Sequence, residues 1–508
     1  MKADRVDSGQ ITVYFAMVFT LLLSVFLTAF EYARQSSLKV HIDCMTENTV
    51  NSLFAGYNRE LLDRYDLLFI DLSYQTSKPS YANAEKQAEE ILNRNMFPDD
   101  EHFLFARDWY DLKSANTSIT GARLATDNDG EAVFNQAVSY MKDRVSLSLL
   151  SNVNSWIEIT ETYNLDGDEF KEKCEKLTGR IENTDPGKPL SDSETWDETG
   201  EKHPDKDGLI EISPANLFNR FAKSVNSNIS DKRISTASKW KKGNTAVGNW
   251  PESESGFIAE AADGLIFDEY VFEKLGYQGH QIPNSALDYG GEYVLVGGES
   301  DTENLLAVYS MLFFVRGAAD FVTISKTEKC VETAETIGAV FEALTGFSKD
   351  FSKEIVLVYW SGLEAMYDLK ELARGRRISL VKTPEEIHTQ PADVLLGESA
   401  SFDFEKQEDE EVPDIPDTSE GSEEQTGEEP VPSNVKLAYI DYLRIFLAAI
   451  PADVKTERAM NLIECSICLT PENRYFKFNS ACDALEMQIT FESGYGYIYT
   501  TKRKYRYF

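Results

Sequence analysis

The sequence predicts an α+β protein led by an N-terminal transmembrane helix, on three observations. Ile11 opens and Phe30 closes a run, ITVYFAMVFTLLLSVFLTAF, that carries no charge. About twenty helical residues at 1.5 Å each span roughly 30 Å, the thickness of a bilayer's hydrocarbon core. From Glu31 to Phe54 there is no Pro or Gly, and Leu38, Ile42, Met45 and Leu53 recur at near-helical spacing. The membrane helix therefore continues as a long amphipathic helix that lays its apolar stripe on a folded body. Beyond it, helical periodicity and strand-like alternation both occur, so the body mixes helices with antiparallel strands.

Each element has its local reason. Gly56 is the stop of the long helix. Leu67-Leu68-Phe69-Ile70 reads as a buried strand, and 81–95 as a helix that ends before Pro98. Residues 103–125 alternate as strands, with Gly121 near a turn, and Gly130 opens a helical region running to about Ile159. Tyr293-Val294-Leu295-Val296, flanked by glycine pairs, reads as a strand, with Gly290-Gly291 and Gly297-Gly298 serving turns. Helices follow at 303–325, 327–344 and 355–373, then at 435–450 and 455–469, and 475–508 alternates as strands. The apolar stretches 305–315, 355–363 and 445–450 are too short to span a membrane and read as core.

This gives a segment order. Residues 1–10 are a short lead, 11–30 the membrane helix, and 31–181 the N-terminal part of the body. Residues 182–208 are an acidic flexible insertion, and 209–402 a central α+β part, poorly periodic and moderately helical up to 287. The stretch 403–434 holds thirteen acids against Lys406 alone, with four prolines, and reads as a disordered linker ahead of the C-terminal helices and strands at 435–508.

The 508 residues carry a net charge of −36, with 42% hydrophobic residues. That length allows about two to four domains, and that hydrophobic content describes a folded chain. The charge argues against nucleic acid as a partner. A cleaved signal would have a shorter apolar core and small residues at its end, whereas here Phe30-Glu31-Tyr32 follows, which favours an uncleaved anchor. Lys2 and Arg5 before the helix balance Arg34 and Lys39 after it, so charge counting leaves the orientation open.

No reaction is written in the motifs, and no cofactor or metal is implied. There is no nucleotide-binding glycine loop, no G-x-S-x-G and no H-E-x-x-H. Cys465 and Cys468 form a C-x-x-C with Cys482 thirteen residues beyond; a zinc site would need a fourth ligand that no nearby His supplies. Ordinary thiols lead, with a disulfide within this trio as the alternative. Asp71-Leu72-Ser73 resembles the opening of a von Willebrand A metal site, but Gln75 stands where the second serine belongs. Asp205-Lys206-Asp207-Gly208 resembles an EF-hand loop, yet that register puts His203 and Pro214 at two anionic positions, and Asp166-Gly167-Asp168 reads as a turn. Glu31 is a boundary residue, with pairing to a cation on a neighbouring helix as its functional alternative.

Ser8-Gly9-Gln10-Ile11-Thr12-Val13-Tyr14-Phe15, leading through the apolar helix into Glu31-Tyr32-Ala33-Arg34, resembles TadE/TadG-like pseudopilins of tight-adherence (Tad) pilus systems. More closely, the chain is similar to an uncharacterised Gram-positive bacterial family linked to those systems. That likeness is carried by SLFAGYNRELLDRYDLLFIDL (52–72), FNQAVSYMKDR (134–144), GGEYVLVGGESDTENLLAVYSMLFFVRGAADF (290–321), WSGLEAMYDLKELARGRRISLVKT (360–383), YIDYLRIFLAAI (439–450) and RAMNLIE (458–464). The resemblance implies a single-pass, non-enzymatic structural or assembly component of a Tad-like pilus or secretion apparatus. Its body would be extracellular, and its partners the membrane and other apparatus proteins. Prepilin-type processing would fall at Gly9, but an acid is due five residues later and Tyr14 stands there. Two rival readings remain: a surface module binding carbohydrate or protein through Trp196, Trp240 and Trp250, and an anchored hydrolase.

Overall fold

A computed structural model describes residues 8–96, 110–165, 167–183, 218–219, 222, 229–234, 248–249, 261–345, 347–390 and 435–507. The acidic insertion from 184 onward, the 403–434 linker, the EF-hand-like stretch, Asp166, and Trp196, Trp240 and Trp250 lie outside the described residues. The chain divides into two compact units. The first gathers Met1–Gln136, Trp240–Gly256 and Thr470–Phe508, and the second Ala137–Lys239 and Phe257–Leu469.

In the first unit one helix, α1 (Ser8–Phe54), runs without a break from the apolar segment into the body. Its second half behaves as its spacing demands: Leu38, Ile42, Met45, Val50, Leu53 and Phe54 form a buried stripe. α2 (Arg59–Tyr65) follows, capped where the Leu61 amide donates to Asn58 Oδ1 at 3.1 Å. α3 (Tyr81–Met96) offers Ala84, Ala88 and Leu92 to the same core.

The sheet opposite consists of β1 (Ile70–Asp71), β2 (Leu112–Leu124), β3 (Gly248–Asn249), β6 (Ala481–Ser493) and β7 (Ile498–Arg506). β6 is central, antiparallel to β2 on one side and to β1 and β7 on the other, while β3 runs parallel to β2. Leu485, Met487, Ile489 and Phe491 alternate into the core, and Glu486, Gln488, Thr490 and Glu492 are less buried, the period of two expected of a sheet covered on one face. Gly121 sits within β2, next to a register shift between Ile119 and Gly121 rather than at a turn.

The second unit is mainly helical. α5 (Leu147–Thr162), α6 (Asp168–Asn183) and α7 (Ala261–Leu275) lead to α8 (Gly290–Val296) and to three long helices, α9 (Asp301–Lys326), α10 (Glu328–Thr345) and α11 (Lys349–Ala373). A two-stranded ladder of β4 (Ile378–Ser379) and β5 (Lys436–Leu437) precedes α12 (Tyr439–Ala448) and α13 (Ala452–Ile467). Phe170 and Leu177 of α6, Ile324 of α9, Phe341 of α10 and Phe351, Ile355 and Trp360 of α11 share one core. α9 as a whole is long and apolar enough to cross a membrane, but it is mostly buried within the protein, with Leu305, Val308, Leu312 and Phe313 inside.

Three expectations need correction. Residues 293–296 are helical, in α8, because both sides of this short element are buried and the apolar run carries no periodicity to read. Gly290 starts that helix rather than a turn: a Cβ there would stand 2.3 Å from the Leu275 carbonyl oxygen. Gly297 does end it, at φ +81°, its amide donating to Tyr293 O at 2.7 Å. Of 67–70 only Ile70 enters β1, since the pairing with β6 is confined to Ile70 and Asp71. The helical region after Gly130 is two helices, α4 (Glu131–Met141) and α5, because the Ser146 hydroxyl caps a new start by accepting from the Leu149 amide.

Candidate functional site: an exposed apolar helix and a buried charge cluster

Two features stand apart from ordinary packing. The first is the leading half of α1. From Ile11 to Phe30 every residue is exposed, so the apolar side chains cover all sides of the cylinder. Fourteen of them are large, among them Phe15, Phe19, Leu22, Phe26 and Leu27. At about 1.5–3 kcal/mol for each large apolar side chain left in water, this surface carries roughly 20–40 kcal/mol of unfavourable hydration. Such a surface needs a cover. Its hydroxyls are already satisfied: Thr20 donates to Met17 O at 2.9 Å, Ser24 to Leu21 O at 2.8 Å and Thr28 to Ser24 O at 2.7 Å. A helix that bonds its own polar groups is chemically suited to hydrocarbon. The helix is thus a possible single membrane span. Gly9 lies in its first turns, with Tyr14 still inside the same helix.

At the end of the apolar run Glu31 is engaged within its own helix. It accepts from Arg34 at 2.7 and 3.0 Å and from Gln35 at 3.3 Å. The hydrogen bond from Arg34, together with its charge, holds the Glu31 carboxyl below its ordinary range.

The second feature lies in the core of the second unit. Arg316 of α9 is fully buried, and its guanidinium forks to several partners. Nε donates to Asp368 Oδ2 at 2.8 Å, Nη2 to Asp320 Oδ1 at 3.2 Å, and Nη1 to Ser379 O at 3.0 Å, Leu380 O at 2.8 Å and Tyr442 Oη at 3.1 Å. Lys382 joins from the other side, 2.6 Å from Asp368 Oδ1 and hydrogen-bonded to Glu364. Glu364 in turn accepts from the His388 amide at 3.1 Å and from the Thr389 amide and hydroxyl at 2.9 and 2.7 Å.

Burial, reinforced by Asp368, pushes the Asp320 carboxyl well above the carboxylate range, and among the described residues its Oδ2 has no hydrogen-bond partner. Burial also works against the Glu364 charge, but Lys382 and Thr389 outweigh it and keep that carboxyl low. Arg316 and Lys382 thus face Asp320, Glu364 and Asp368, and the arrangement ties α9, α11, α12, β4 and the 382–389 segment together.

Neighbouring buried polar groups follow the same logic. Lys455 of α13 reaches Asp268 of α7 at 2.6 Å, and Arg444 of α12 reaches Glu269 at 2.6 Å and Asp441 at 2.7 Å. Glu292 of α8 accepts from the Gln278 amide at 2.9 Å and from Tyr439 at 2.8 Å, while its Oε2 has no hydrogen-bond partner among the described residues. Burial pushes both Asp268 and Glu292 up to about 7.

The remaining sequence candidates are placed plainly. Cys465 and Cys468 are half-buried thiols at the end of α13, and the Cys482 thiol is buried in β6, donating to Ala484 O at 3.0 Å. Asp71 closes a local turn, accepting from the Ser73 amide at 2.8 Å and hydroxyl at 2.6 Å. Among the described residues no group of three or more His, Cys, Asp or Glu side chains is placed to hold a metal ion.

A family model described as "Family of unknown function (DUF5702)" matches residues 206–493. The chain belongs to this family. The DUF5702 region holds the whole charge cluster and β6, and α1 lies outside it. No curated protein and no solved structure matches the chain. Sequence reading alone missed the cluster. Its signal is nonetheless present as charged pairs four residues apart, Arg316 with Asp320 and Glu364 with Asp368, inside otherwise apolar helical stretches.

Proposed function

We propose that this DUF5702 protein is a membrane-anchored, non-enzymatic structural or assembly component of a Tad-like pilus or secretion apparatus, its body outside the cell. The carrying observation is α1, one continuous helix whose first half is apolar on every side and whose second half is built into the sheet of the first unit. A helix of this kind anchors the body in a bilayer and offers its apolar surface to neighbouring helices. Because Glu31 is neutralised by Arg34, such lateral association does not require a partner's cation. The resemblance of Ser8 to Phe15 and of Glu31 to Arg34 to TadE/TadG-like pseudopilins supports the same reading.

The test is protease shaving of intact cells expressing the full chain with a C-terminal tag, together with membrane fractionation. Loss of the tag from membrane-bound protein is expected. Photo-crosslinking from the apolar half of α1 should then capture other single-pass helices of the apparatus. A protected tag on membrane-bound protein, or recovery of the chain in the soluble fraction, would overturn the proposal.

A further inference from the structure

The β6–β7 hairpin closes through Gly494-Tyr495-Gly496-Tyr497, with the Ser493 amide donating to Tyr497 O at 3.0 Å and Gly496 at φ +80°. Solvent-facing turns are ordinarily built of small polar residues. This one presents Tyr495 at 58% exposure, Tyr497 at 39% and Ile498 at 71%. The tip is fixed to α1 at a defined height: the Arg34 guanidinium lies 3.9 Å from the centre of the Tyr495 ring and is paired with Glu31. Arg34 follows Phe30 by four residues, about 6 Å along the helix axis. The polar interface of a bilayer is about 5–7 Å thick on each side of its hydrocarbon core. Tyr32, 75% exposed, stands at the same level on α1 itself. Tyrosines concentrate at this depth because the ring is apolar and the hydroxyl stays wet.

We infer that the hairpin tip is a second membrane contact, in which Tyr495, Tyr497 and Ile498 seat with Tyr32 in the headgroup–acyl boundary of the bilayer. This rests on residues 11–30 being embedded. The occupant is the bilayer interface itself: at the tip Arg34 is paired with Glu31, and Lys113 and Asp111, one of each charge, both lie beside Gly494. A single helix leaves a body free to tilt, whereas a second contact beside it fixes the tilt of the first unit.

The full chain is reconstituted in phosphatidylcholine vesicles carrying a photoreactive diazirine either on the lipid headgroup or within the acyl chain, and labelled peptides are mapped by mass spectrometry. The expected result is acyl-chain labelling within 11–30 and headgroup labelling at Tyr32 and 495–498. Changing Tyr495, Tyr497 and Ile498 together to Ser should reduce headgroup labelling of the tip to background while leaving the acyl-chain labelling intact. Acyl-chain labelling of 11–30 with an unlabelled tip, or a serine variant labelled as strongly as the wild type, would overturn the hairpin contact and leave the anchor standing. Absence of both labels would overturn the anchor, and the hairpin contact with it.

Discussion

Replacing Arg316 by Met tests whether the buried cluster holds the second unit together. The substitution keeps an unbranched chain of similar reach but removes every donor. Ser379 O, Leu380 O and Asp368 then lose their bonds of 3.0, 2.8 and 2.8 Å in a site closed to water. Breaking a buried pair by removing one partner costs about 3–5 kcal/mol, because the remaining charge is left uncompensated. Against a total domain stability of about 5–15 kcal/mol, the variant stays folded but close to its threshold. The assay is amide hydrogen exchange of the full chain, read by mass spectrometry on peptides from α9 and α11. With 1.4 kcal/mol per factor of ten, exchange there should quicken by roughly two to three and a half powers of ten. Peptides from β6 belong to the other unit and serve as the internal reference. Adding Asp368→Leu to Arg316→Met should recover part of the loss, since Lys382 is then no longer shared between Asp368 and Glu364. Wild-type protection of α9 and α11 in the single variant would refute the reasoning.

Three further outcomes follow from the same structure. Glu292 is pushed up to about 7 by burial, so between its ordinary 4.5 and about 7 the native state holds a proton that the unfolded chain has released. Stability should therefore fall as pH rises through that window, by up to about 3 kcal/mol, and the difference between urea midpoints at pH 5 and 7.5 should shrink in Glu292→Gln, the remainder coming from Asp268, Asp320 and the other carboxyls that burial raises. Gly290→Ala drives a Cβ toward the Leu275 carbonyl oxygen at 2.3 Å and should cost about 1–3 kcal/mol in the same urea titration; an unchanged midpoint would contradict the close approach. Under native alkylation Cys465 and Cys468 should label well before the buried Cys482, whose thiol burial pushes up and deactivates. Equal labelling of all three would show that β6 is not closed over Cys482.

What the sequence determined by itself is whatever is encoded locally along one element. The uncharged run from Ile11 to Phe30 and the stripe of Leu38, Ile42, Met45 and Leu53 appear in the structure as one helix with an exposed first half and a buried second. Period and hydrophobicity within a single helix need no knowledge of neighbours. The alternation of β6 was legible for the same reason.

Tertiary structure decided the rest, wherever a residue's environment comes from distant chain. Residues 293–296 read as a strand, yet α8 is a helix whose last carbonyls, Val294 O and Leu295 O, are satisfied by Arg458 from α13 at 2.7 and 2.6 Å. Arg316, Asp320 and Glu364 were visible only as interruptions of apolar runs. Their meaning depends on Lys382 and on the carbonyls of Ser379 and Leu380, which folding alone brings beside α9 and α11. The aromatic tip of the β6–β7 hairpin likewise gains its height above the apolar helix only through the stacking of Tyr495 on Arg34, residues that the sequence keeps far apart and the sheet of the first unit brings together. Local periodicity fixes elements. Partners for buried charges and the placement of a turn are long-range consequences of packing, which a single sequence does not spell out.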